Sequence, residues 1–263
     1  MTEDSHAAGA TEPQLHAGPL TLAFDIGGTG LKAAVLDPSG SLVGERQRVE
    51  TTYPLSPQQM VGQLVALASR LSGYERISAG FPGYVRGGKI LSAPHFVTKS
   101  GPGSKVVPEL VKEWDHFDLA GALDAALGKP TKIANDADMQ GSAVVKGKGV
   151  ELVITLGTGV GTAIFENGVL TPHLELAQHP LWKDLTYNEY IGEAVRKDIG
   201  AKRWNKRVEK TIDTLRALIF FDHLWVGGGN SAKVTFDLPA DVTLVDNSAG
   251  LRGGIALWAT QKT

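Results

Sequence analysis

The sequence contains no cysteine and no long apolar run. Without cysteine among its 263 residues, the chain cannot form a disulfide, use a thiol as a nucleophile or bind zinc through cysteine. No stretch approaches the roughly 18 apolar residues that a membrane-spanning helix requires. The formal net charge of −2 argues against a general nucleic-acid-binding protein. Together these absences predict a cytoplasmic enzyme that binds neither membranes nor nucleic acid.

The chain is long enough for two lobes. Hydrophobic residues make up 42% of it, which is ample for globular cores, and its length exceeds the usual size of one compact domain. Residues 1–18 are rich in Ala, Gly, Thr, Glu and His and are predicted to form a disordered tail.

Two glycine-rich segments of one design are the most informative feature that is present. Residues 25–30 read DIGGTG and residues 155–161 read TLGTGVG, and each lies between two apolar runs. Both predict a strand, a tight turn and a strand, in which glycine lets a phosphate approach bare backbone N–H groups. A P-loop or a dinucleotide-binding turn would be followed by a helix, whereas residues 31–36 predict a strand. The alternative is two ordinary hairpins with glycine turns.

The predicted strands and helices follow one order twice. Three strands, a helix, a strand, a helix and a strand precede residue 135, and a similar series begins at residue 151. This is the outline of the actin-like (ribonuclease H-like) sugar-kinase fold, an α/β fold of two βββαβα lobes. The predicted domains are a first lobe of residues 19–134 with a closing helix in residues 249–263, and a second lobe of residues 135–248.

Local signals predict single elements. Ser56 begins a helix with a capping box, because Pro57 follows at N1 and Gln59 stands at N3. Residues 84–117 carry many Gly and Pro residues and are predicted to be irregular. Further helices are predicted at about 118–127, 137–146, 186–199, 201–221 and 249–260.

Asp136 is the candidate catalytic residue. It follows the predicted strand 131–134 and opens a helix, and in α/β sheets ligands bind beyond the carboxyl ends of the strands. A carboxylate there can accept the proton of a substrate hydroxyl, which is the role that phosphoryl transfer to an alcohol needs. The alternative is that Asp136 is only the N-cap of its helix.

Several motifs resemble those of the ROK family of sugar kinases. They are the two glycine turns, GFPG at 80–83, NDAD at 135–138 and VGGGN at 226–230, so the likeness runs from about residue 20 to the C-terminus. The resemblance implies that Asp136 is the catalytic base, that Asn135 binds the sugar and that Asp25 helps to hold Mg²⁺. The candidate donor-binding residues are Asp25, Gly27, Gly28, Thr29, Gly30, Lys32, Gly157, Thr158, Gly159, Gly227, Gly228, Gly229 and Asn230.

The sugar motif departs from the Glu-x-Gly-His of many ROK proteins. The stretch that begins at Glu175 reads ELAQ, so Ala177 and Gln178 replace Gly and His, and His95 stands where relatives often have Asn. The chain lacks the cysteines of the family's zinc cluster, and the stretch that follows resembles the zinc-free polyphosphate glucokinase branch. By that resemblance Glu175, Gln178 and Glu189 bind sugar hydroxyls, while the altered motif leaves the identity of the sugar open.

A basic segment covers residues 196–210. Seven basic and two acidic residues (7 − 2) give it a charge of +5. At helical spacing Lys202, Arg203, Lys206 and Arg207 share one face, and cations in the first turn of a helix oppose its dipole. An anionic ligand would offset that cost, so we predict a groove for a polyanion along this face. The alternative is a solvated basic surface.

These features predict a phosphotransferase that moves a terminal phosphoryl group from inorganic polyphosphate, or from ATP, to the 6-hydroxyl of glucose. The expected cofactor is Mg²⁺, and likeness to the family predicts a homodimer. The alternatives are a kinase for another hexose or a polyol, and a catalytically weak protein that binds sugar or polyphosphate. A ROK repressor is disfavoured, because the predicted tail is too short for a DNA-binding helix-turn-helix.

Overall fold

The computed structural model describes residues 18–246 and 249–258. The predicted disordered tail lies outside these residues except for Gly18, as does the end of the predicted C-terminal helix. No helix in this part of the chain is long and apolar enough to cross a membrane. The strands and helices, in chain order, are β1 (Thr21–Gly27), β2 (Gly30–Leu36), β3 (Leu42–Val49), α1 (Pro57–Ala68), β4 (Arg76–Phe81), β5 (Tyr84–Arg86), β6 (Lys89–Ser92), α2 (Pro108–Trp114), β7 (Phe117–Asp118), α3 (Leu119–Leu127), β8 (Thr131–Asn135), α4 (Asp136–Ser142), β9 (Val150–Leu156), β10 (Val160–Glu166), β11 (Val169–Leu170), β12 (Pro180–Trp182), β13 (Leu185–Thr186), α5 (Tyr187–Ile191), α6 (Glu193–Ile199), α7 (Ala201–Ile219), β14 (His223–Gly227), β15 (Val242–Leu244) and α8 (Ala249–Ala256).

Two five-stranded mixed sheets with one topology form the two lobes. The strand order is β3-β2-β1-β4-β8 in the first sheet and β11-β10-β9-β14-β15 in the second. In each, the first three strands are antiparallel and the last two run parallel to the central one. The predicted two-lobed α/β fold with a duplicated order of elements is therefore confirmed, while the exact domain boundaries stay a prediction.

Each sheet has its own hydrophobic core. In the first lobe, α1 begins with the predicted capping box at Ser56 and Gln59 and packs its buried side chains under the sheet. In the second lobe, α7 is amphipathic and buries Trp204, Val208 and Leu215 against the strands. Burial of such apolar faces stabilises each lobe.

Two helices, α4 and α8, lie between the sheets. Helix α8 packs against α4 and against β1 and β4. Gly253 faces the backbone carbonyl of Met139 so closely that no Cβ fits there, which allows the two helices to touch. The Ser78 hydroxyl donates to the Gly254 carbonyl at 2.6 Å and fixes α8 on the first sheet. This packing places the start of α4, and with it Asp136, between the lobes.

The structure corrects three sequence predictions about regular structure, two of them in the segment from residue 84 to residue 146. Residues 84–117, predicted to be irregular, contain β5, β6 and α2, because the positive φ of Gly87 and Gly88 makes a hairpin turn there instead of a loop. Helix α4 ends at Ser142, short of residue 146. The chain turns there because the Glu151 carboxylate accepts the backbone N–H groups of residues 146–148 at 2.6–3.1 Å.

The helix predicted at 186–199 is broken at Gly192. This residue is extended (φ −64°, ψ 168°) and separates α5 from α6. A Cβ at Gly192 would lie 2.5 Å from the Asn188 carbonyl oxygen and 3.1 Å from that of Thr158. The break therefore brings the chain against the second glycine turn, a long-range contact that helical periodicity does not reveal.

Candidate active site

A cavity of about 730 Å³ lies between the lobes, and both glycine turns open onto it. It also contains the start of α4 and the turn after β14. The structure therefore brings together most of the residues predicted from the sequence. Those that line the cavity are Asp25, Gly27, Gly28, Thr29, Lys32, Asn135, Asp136, Gly157, Thr158, Gly159, Glu175, Gln178, Gly228, Gly229 and Asn230.

Seven predicted residues lie outside the cavity lining. They are Gly30, Glu189, Lys202, Arg203, Lys206, Arg207 and Gly227. Gly30 packs against the Arg48 guanidinium, and Gly227 packs against the Gln140 side chain. Glu189 is exposed and completes a capping box for α5, because its Oε2 accepts the Thr186 N–H and hydroxyl, both at 2.9 Å. The structure therefore gives Glu189 a local structural role away from the cavity.

Asn135, and not Asp136, caps α4. The Asn135 Oδ1 accepts the N–H of Ala137 at 2.8 Å, and its Nδ2 donates to the Gly83 carbonyl at 2.9 Å. Asp136 is the first residue of the helix itself. The alternative that Asp136 is only an N-cap is therefore wrong, and its carboxylate is available at the mouth of the helix. Asn135 uses both ends of its amide within the protein.

The Asp136 carboxyl has a raised pKa. Its side chain opens onto the cavity, but protein atoms surround it closely, and this burial together with the nearby Asp25 raises the pKa of Asp136 to about 7. A hydrogen bond from the Ala137 N–H at 2.9 Å opposes the shift. General bases work best when their pKa lies near the operating pH. The carboxyl is thus suited to accept a proton from a hydroxyl in the cavity.

Three side chains hold the carbonyl oxygens of the first glycine turn. The Thr51 hydroxyl donates to the Gly27 oxygen at 2.6 Å, the Tyr53 hydroxyl to the Gly28 oxygen at 2.6 Å, and Arg48 Nη2 to the Thr29 oxygen at 3.2 Å. In a trans peptide group the N–H points opposite to the C=O. The N–H groups of Gly28 and Thr29 therefore point away from Thr51 and Tyr53 and can bind an anion, whereas Gly30 pairs with Gly27 in the ladder of β1 and β2.

The sequence did not predict the contacts of Arg48, Thr51 and Tyr53 with the first glycine turn, because these contacts depend on where β3 lies. Val49 pairs with Leu31 on β2, so the residues just after β3 run alongside the turn that precedes β2. Nothing in the segment 48–53 by itself indicates this contact. The signal was the pairing of β2 with β3 in the predicted order of strands.

We expect Thr51→Val and Tyr53→Phe each to raise KM for the phosphoryl donor by about 2–10-fold, because each removes one neutral hydrogen bond that orients the turn. The KM for the sugar should stay within about twofold. Steady-state kinetics with each substrate varied in turn checks this. Tyr74→Phe removes a hydroxyl away from the cavity and serves as the control. An equal rise in both KM values would show general loosening of the lobe instead.

The second glycine turn is held by α5, α6 and the turn after β14. Asn188 Oδ1 accepts the Val160 N–H at 2.7 Å, and the Glu193 N–H donates to the Gly157 carbonyl at 3.1 Å. Asn230 Nδ2 donates to Glu193 Oε2 at 2.8 Å. A hydrogen bond from Arg196 lowers the pKa of Glu193 to about 2. Asn188 and Glu193 line the cavity and were not predicted from the sequence.

The turn after β14 requires glycine at Gly228. Its φ is +84°, and a Cβ there would lie 2.5 Å from backbone atoms of Leu156. The close approach joins this turn to the end of β9, next to the second glycine turn. Residues 228–230 therefore form the floor of the cavity on the predicted donor side.

The predicted sugar side is lined by Glu175, Ala177 and Gln178, together with Tyr84 and His95. Burial lowers the pKa of His95 below its ordinary value, which favours the neutral ring. Its buried Nδ1 has no hydrogen-bond partner among the described residues. A neutral imidazole with a free nitrogen can accept or donate one hydrogen bond to a hydroxyl of a bound ligand.

Asp25 fits the predicted magnesium ligand. Its carboxylate lines the cavity, and Oδ2 lies 2.8 Å from Lys32 Nζ. Within residues 18–246 and 249–258, no group of three His, Asp or Glu side chains is arranged to hold a metal ion by itself. Mg²⁺ is commonly held by one or two carboxylates together with substrate phosphates, so a single carboxylate beside a turn that is predicted to bind phosphate suits it.

The basic face of α7 lies outside the cavity. Lys202, Arg203 and Lys206 are exposed, and no ion pair to them occurs within the described parts of the chain. Arg207 instead donates to the Tyr190 carbonyl at 3.1 Å and lies 4.7 Å from the centre of that ring. We use the name basic face for Lys202, Arg203 and Lys206.

Comparison with known proteins gives a family and several relatives. Residues 21–174 match the sequence profile described as the ROK family. Polyphosphate glucokinase of Mycobacterium tuberculosis is 26% identical over 240 residues, which cover 88% of this chain and 83% of that protein. Beta-glucoside kinase of Listeria monocytogenes is 33% identical over 153 residues, 56% of this chain and 47% of that protein.

Solved structures resemble the whole described fold. The inorganic polyphosphate/ATP-glucomannokinase of Arthrobacter sp. strain KM has a TM-score of 0.77 and 27% identity, covering 91% of this chain and 98% of that one. A ROK family glucokinase from Streptomyces griseus, in complex with glucose and AMPPNP, has a TM-score of 0.70 and covers 90% and 98%. At 19% identity the second likeness shows the fold alone. Both likenesses agree with the predicted actin-like, two-lobed architecture.

Proposed function

Since this chain belongs to the ROK family and is a sugar kinase, we propose that it transfers the terminal phosphoryl group of inorganic polyphosphate to the 6-hydroxyl of glucose. The observation that carries the proposal is the cavity between the lobes, where Asp136 faces two glycine turns. Relatives named for polyphosphate use support this donor. Likeness to the family supports a cytoplasmic homodimer as the working state.

In this proposal Asp136 is the general base. As the sugar oxygen attacks the terminal phosphorus, the new O–P bond forms and the bond from that phosphorus to the bridging oxygen breaks. The hydroxyl proton passes to the Asp136 carboxylate, and polyphosphate leaves one unit shorter. The raised pKa supports this role, because a base with a pKa near 7 accepts the proton more readily than an ordinary carboxylate would.

The two glycine turns would hold the donor. Backbone N–H groups of Gly28 and Thr29 on one side, and of Thr158 and Gly159 on the other, would bind phosphoryl oxygens without side-chain charge, while the Gly157 N–H donates to the Gly159 carbonyl at 2.9 Å within its turn. Mg²⁺, when bound through Asp25, neutralises part of the charge on those oxygens. Lys32, whose Nζ lies 2.8 Å from Asp25, adds one positive charge at the same edge of the cavity.

A second candidate function is ATP-dependent phosphorylation of another hexose or a polyol. The sugar side of the cavity favours it, because Gln178 is exposed to the cavity and Ala177 is buried behind it, where a Gly-His pair is usual in the family. His95 adds an imidazole at a position where relatives often have Asn, which is a further difference from the family. The third candidate is a catalytically weak protein that binds sugar or polyphosphate, which the same sequence differences also allow.

The double change Ala177→Gly with Gln178→His is expected to lower KM for glucose by up to about tenfold. A hydrogen bond between neutral groups contributes about 0.5–1.5 kcal/mol, and an imidazole loses less rotamer entropy than a flexible amide when it is held in one geometry. Kinetics of both proteins with glucose, mannose and fructose checks this. If the wild type already has the lower KM for glucose, Gln178 is an equivalent ligand and another feature selects the sugar.

A matrix of donors and sugars on the purified protein tests the proposed function. Long-chain polyphosphate, short-chain polyphosphate and ATP are each combined with glucose, mannose, fructose and a polyol in the presence of Mg²⁺. The proposal expects the highest kcat/KM for polyphosphate with glucose. Higher kcat/KM with ATP would favour the second candidate, and binding of sugar without transfer would favour the third.

A further inference from the structure

His173 lies between two carboxylates at the sugar side of the cavity. Its Nδ1 is 3.0 Å from Asp138 Oδ1 and 3.1 Å from Oδ2, and its Nε2 is 3.4 Å from Glu175 Oε2. The three side chains are largely enclosed, with 16%, 7% and 21% of their surfaces exposed for His173, Asp138 and Glu175. Each ring nitrogen thus faces one carboxylate, on opposite sides of the imidazole.

The two contacts are compatible with ionised carboxylates only if both ring nitrogens carry protons. Burial works against the charged ring, but the hydrogen bonds and charges of Asp138 and Glu175 outweigh it and raise the pKa of His173 to about 10. Asp138, from α4, and Glu175, from the ring's own segment, are the titratable groups that face the ring within the described residues. Burial also raises the pKa of the Asp138 carboxyl, but the two-sided contact and the raised pKa of His173 favour the doubly protonated ring near neutral pH.

The ring connects α4 to the wall of the cavity. Asp138 is two residues beyond Asp136 on that helix, while Glu175 lines the cavity itself. Within the described chain, His173 is the hydrogen-bond partner of the Glu175 carboxylate. Four carboxylates (Asp25, Asp136, Asp138 and Glu175) lie in or next to this cavity, and repulsion among them would turn an unrestrained Glu175 away from Asp136.

We propose that His173 is a positioning residue, which holds the Glu175 carboxylate toward the sugar and in register with the helix that carries Asp136. The inference rests on the proposed function, since it takes Glu175 as a ligand of the sugar. It adds a residue that touches neither sugar nor donor and that acts through Glu175. Its effect falls on the sugar, because the glycine turns that face the donor have their own supports.

Kinetics of His173→Gln tests the proposal. The amide keeps a donor but cannot bridge both carboxylates or carry charge, and hydrogen bonds to charged groups are the stronger ones. We expect KM for the sugar to rise about tenfold or more, with KM for the donor within about twofold. His116→Gln, at an exposed histidine whose ring nitrogen pairs with the neighbouring Asp115, is the matched control and should leave both constants unchanged.

A second variant covers the case in which His173→Gln does not fold because Asp138 is left without its counter-charge. Asp138→Asn combined with His173→Gln removes that buried charge and should fold, while Glu175 still lacks its partner. The same rise in KM for the sugar is expected. An unchanged KM for the sugar in the folded variant, or an equal rise in both KM values, overturns the positioning role.

Nitrogen-15 NMR of the histidine rings gives a readout that does not depend on activity. The signal absent from His173→Gln is expected to stay doubly protonated through pH 8 in the wild type and to titrate at lower pH in Glu175→Gln. If the wild-type His173 ring titrates near 6.5 and its pKa is the same in Glu175→Gln, the proposed interaction between His173 and Glu175 is wrong. If His173 does respond to Glu175→Gln but the wild type phosphorylates no hexose with any donor, the proposed function is wrong. The interaction that holds the Glu175 carboxylate would still be established.

Discussion

Replacing Asp136 with Asn is expected to lower kcat by at least about 100-fold. The amide keeps the size of the side chain but cannot accept the proton of the attacking hydroxyl. The KM for the donor should change little, because the glycine turns do not depend on this carboxylate. Circular dichroism and the melting temperature check that the fold is intact, and Asp124→Asn, at an exposed position of α3, is the matched control.

The pH profile separates a base from a structural carboxylate. With a pKa of about 7, Asp136 is protonated and inactive as a base at lower pH, so kcat/KM for the sugar in the wild type should fall as pH drops through about 7. This acid limb should be absent in Asp136→Asn. Near-normal turnover in Asp136→Asn would show that Asp136 does not accept the proton. The same conclusion would follow if kcat/KM of the variant still fell at low pH as in the wild type.

Reversing the basic face is the second large change. We expect Lys202→Glu, Arg203→Glu and Lys206→Glu together to raise KM for long-chain polyphosphate by about tenfold or more, with KM for the sugar unchanged. Lys202 and Arg203 lie in the first turn of α7, where the helix dipole disfavours them, and none of the three cations has an ion-pair partner among the residues that the structure describes. A polyanion that extends beyond the cavity would bind them. Arg207 is left unchanged in this variant because it donates a hydrogen bond to the Tyr190 carbonyl.

Two comparisons make this test specific. Arg70→Glu, Lys89→Glu and Lys112→Glu change the net charge equally at exposed positions elsewhere, and should leave KM for polyphosphate within about twofold. The effect at the basic face should also shrink as salt rises, because contacts between exposed charges are screened. Equal effects of the two triple variants, or equal effects on short and long chains, would mean that this surface is merely solvated.

Sequence reasoning was strongest where the determinants are local. The turns at 25–30 and 155–161 follow from glycine between two apolar runs, and the capping box at Ser56 follows from residues three apart. Asp136 was found because it stands at the end of a strand beside such turns. Its N-cap alternative was wrong because Asn135 has the non-helical backbone of an N-cap (φ −58°, ψ 149°), while Asp136 is already the first residue of the helix.

The same reasoning failed where the determinants are distant along the chain. Tyr53 reaches Gly28 only because β2 and β3 pair, and His173 reaches Asp138 across 35 positions. Neither contact has a local signal. For Glu189 a local signal was present, since Thr186 and Glu189 have the spacing of a capping box, and the structure forms that box away from the cavity.

The most direct test of the account is the product formed from glucose labelled with carbon-13 at C6. Purified protein is incubated with this glucose, Mg²⁺ and long-chain polyphosphate, and the carbon spectrum is recorded with and without phosphorus decoupling. We predict a shifted C6 signal that is split by phosphorus, absent when Asp136→Asn replaces the wild type. An unsplit C6 signal with polyphosphate and with ATP would contradict the proposed transfer to the 6-hydroxyl.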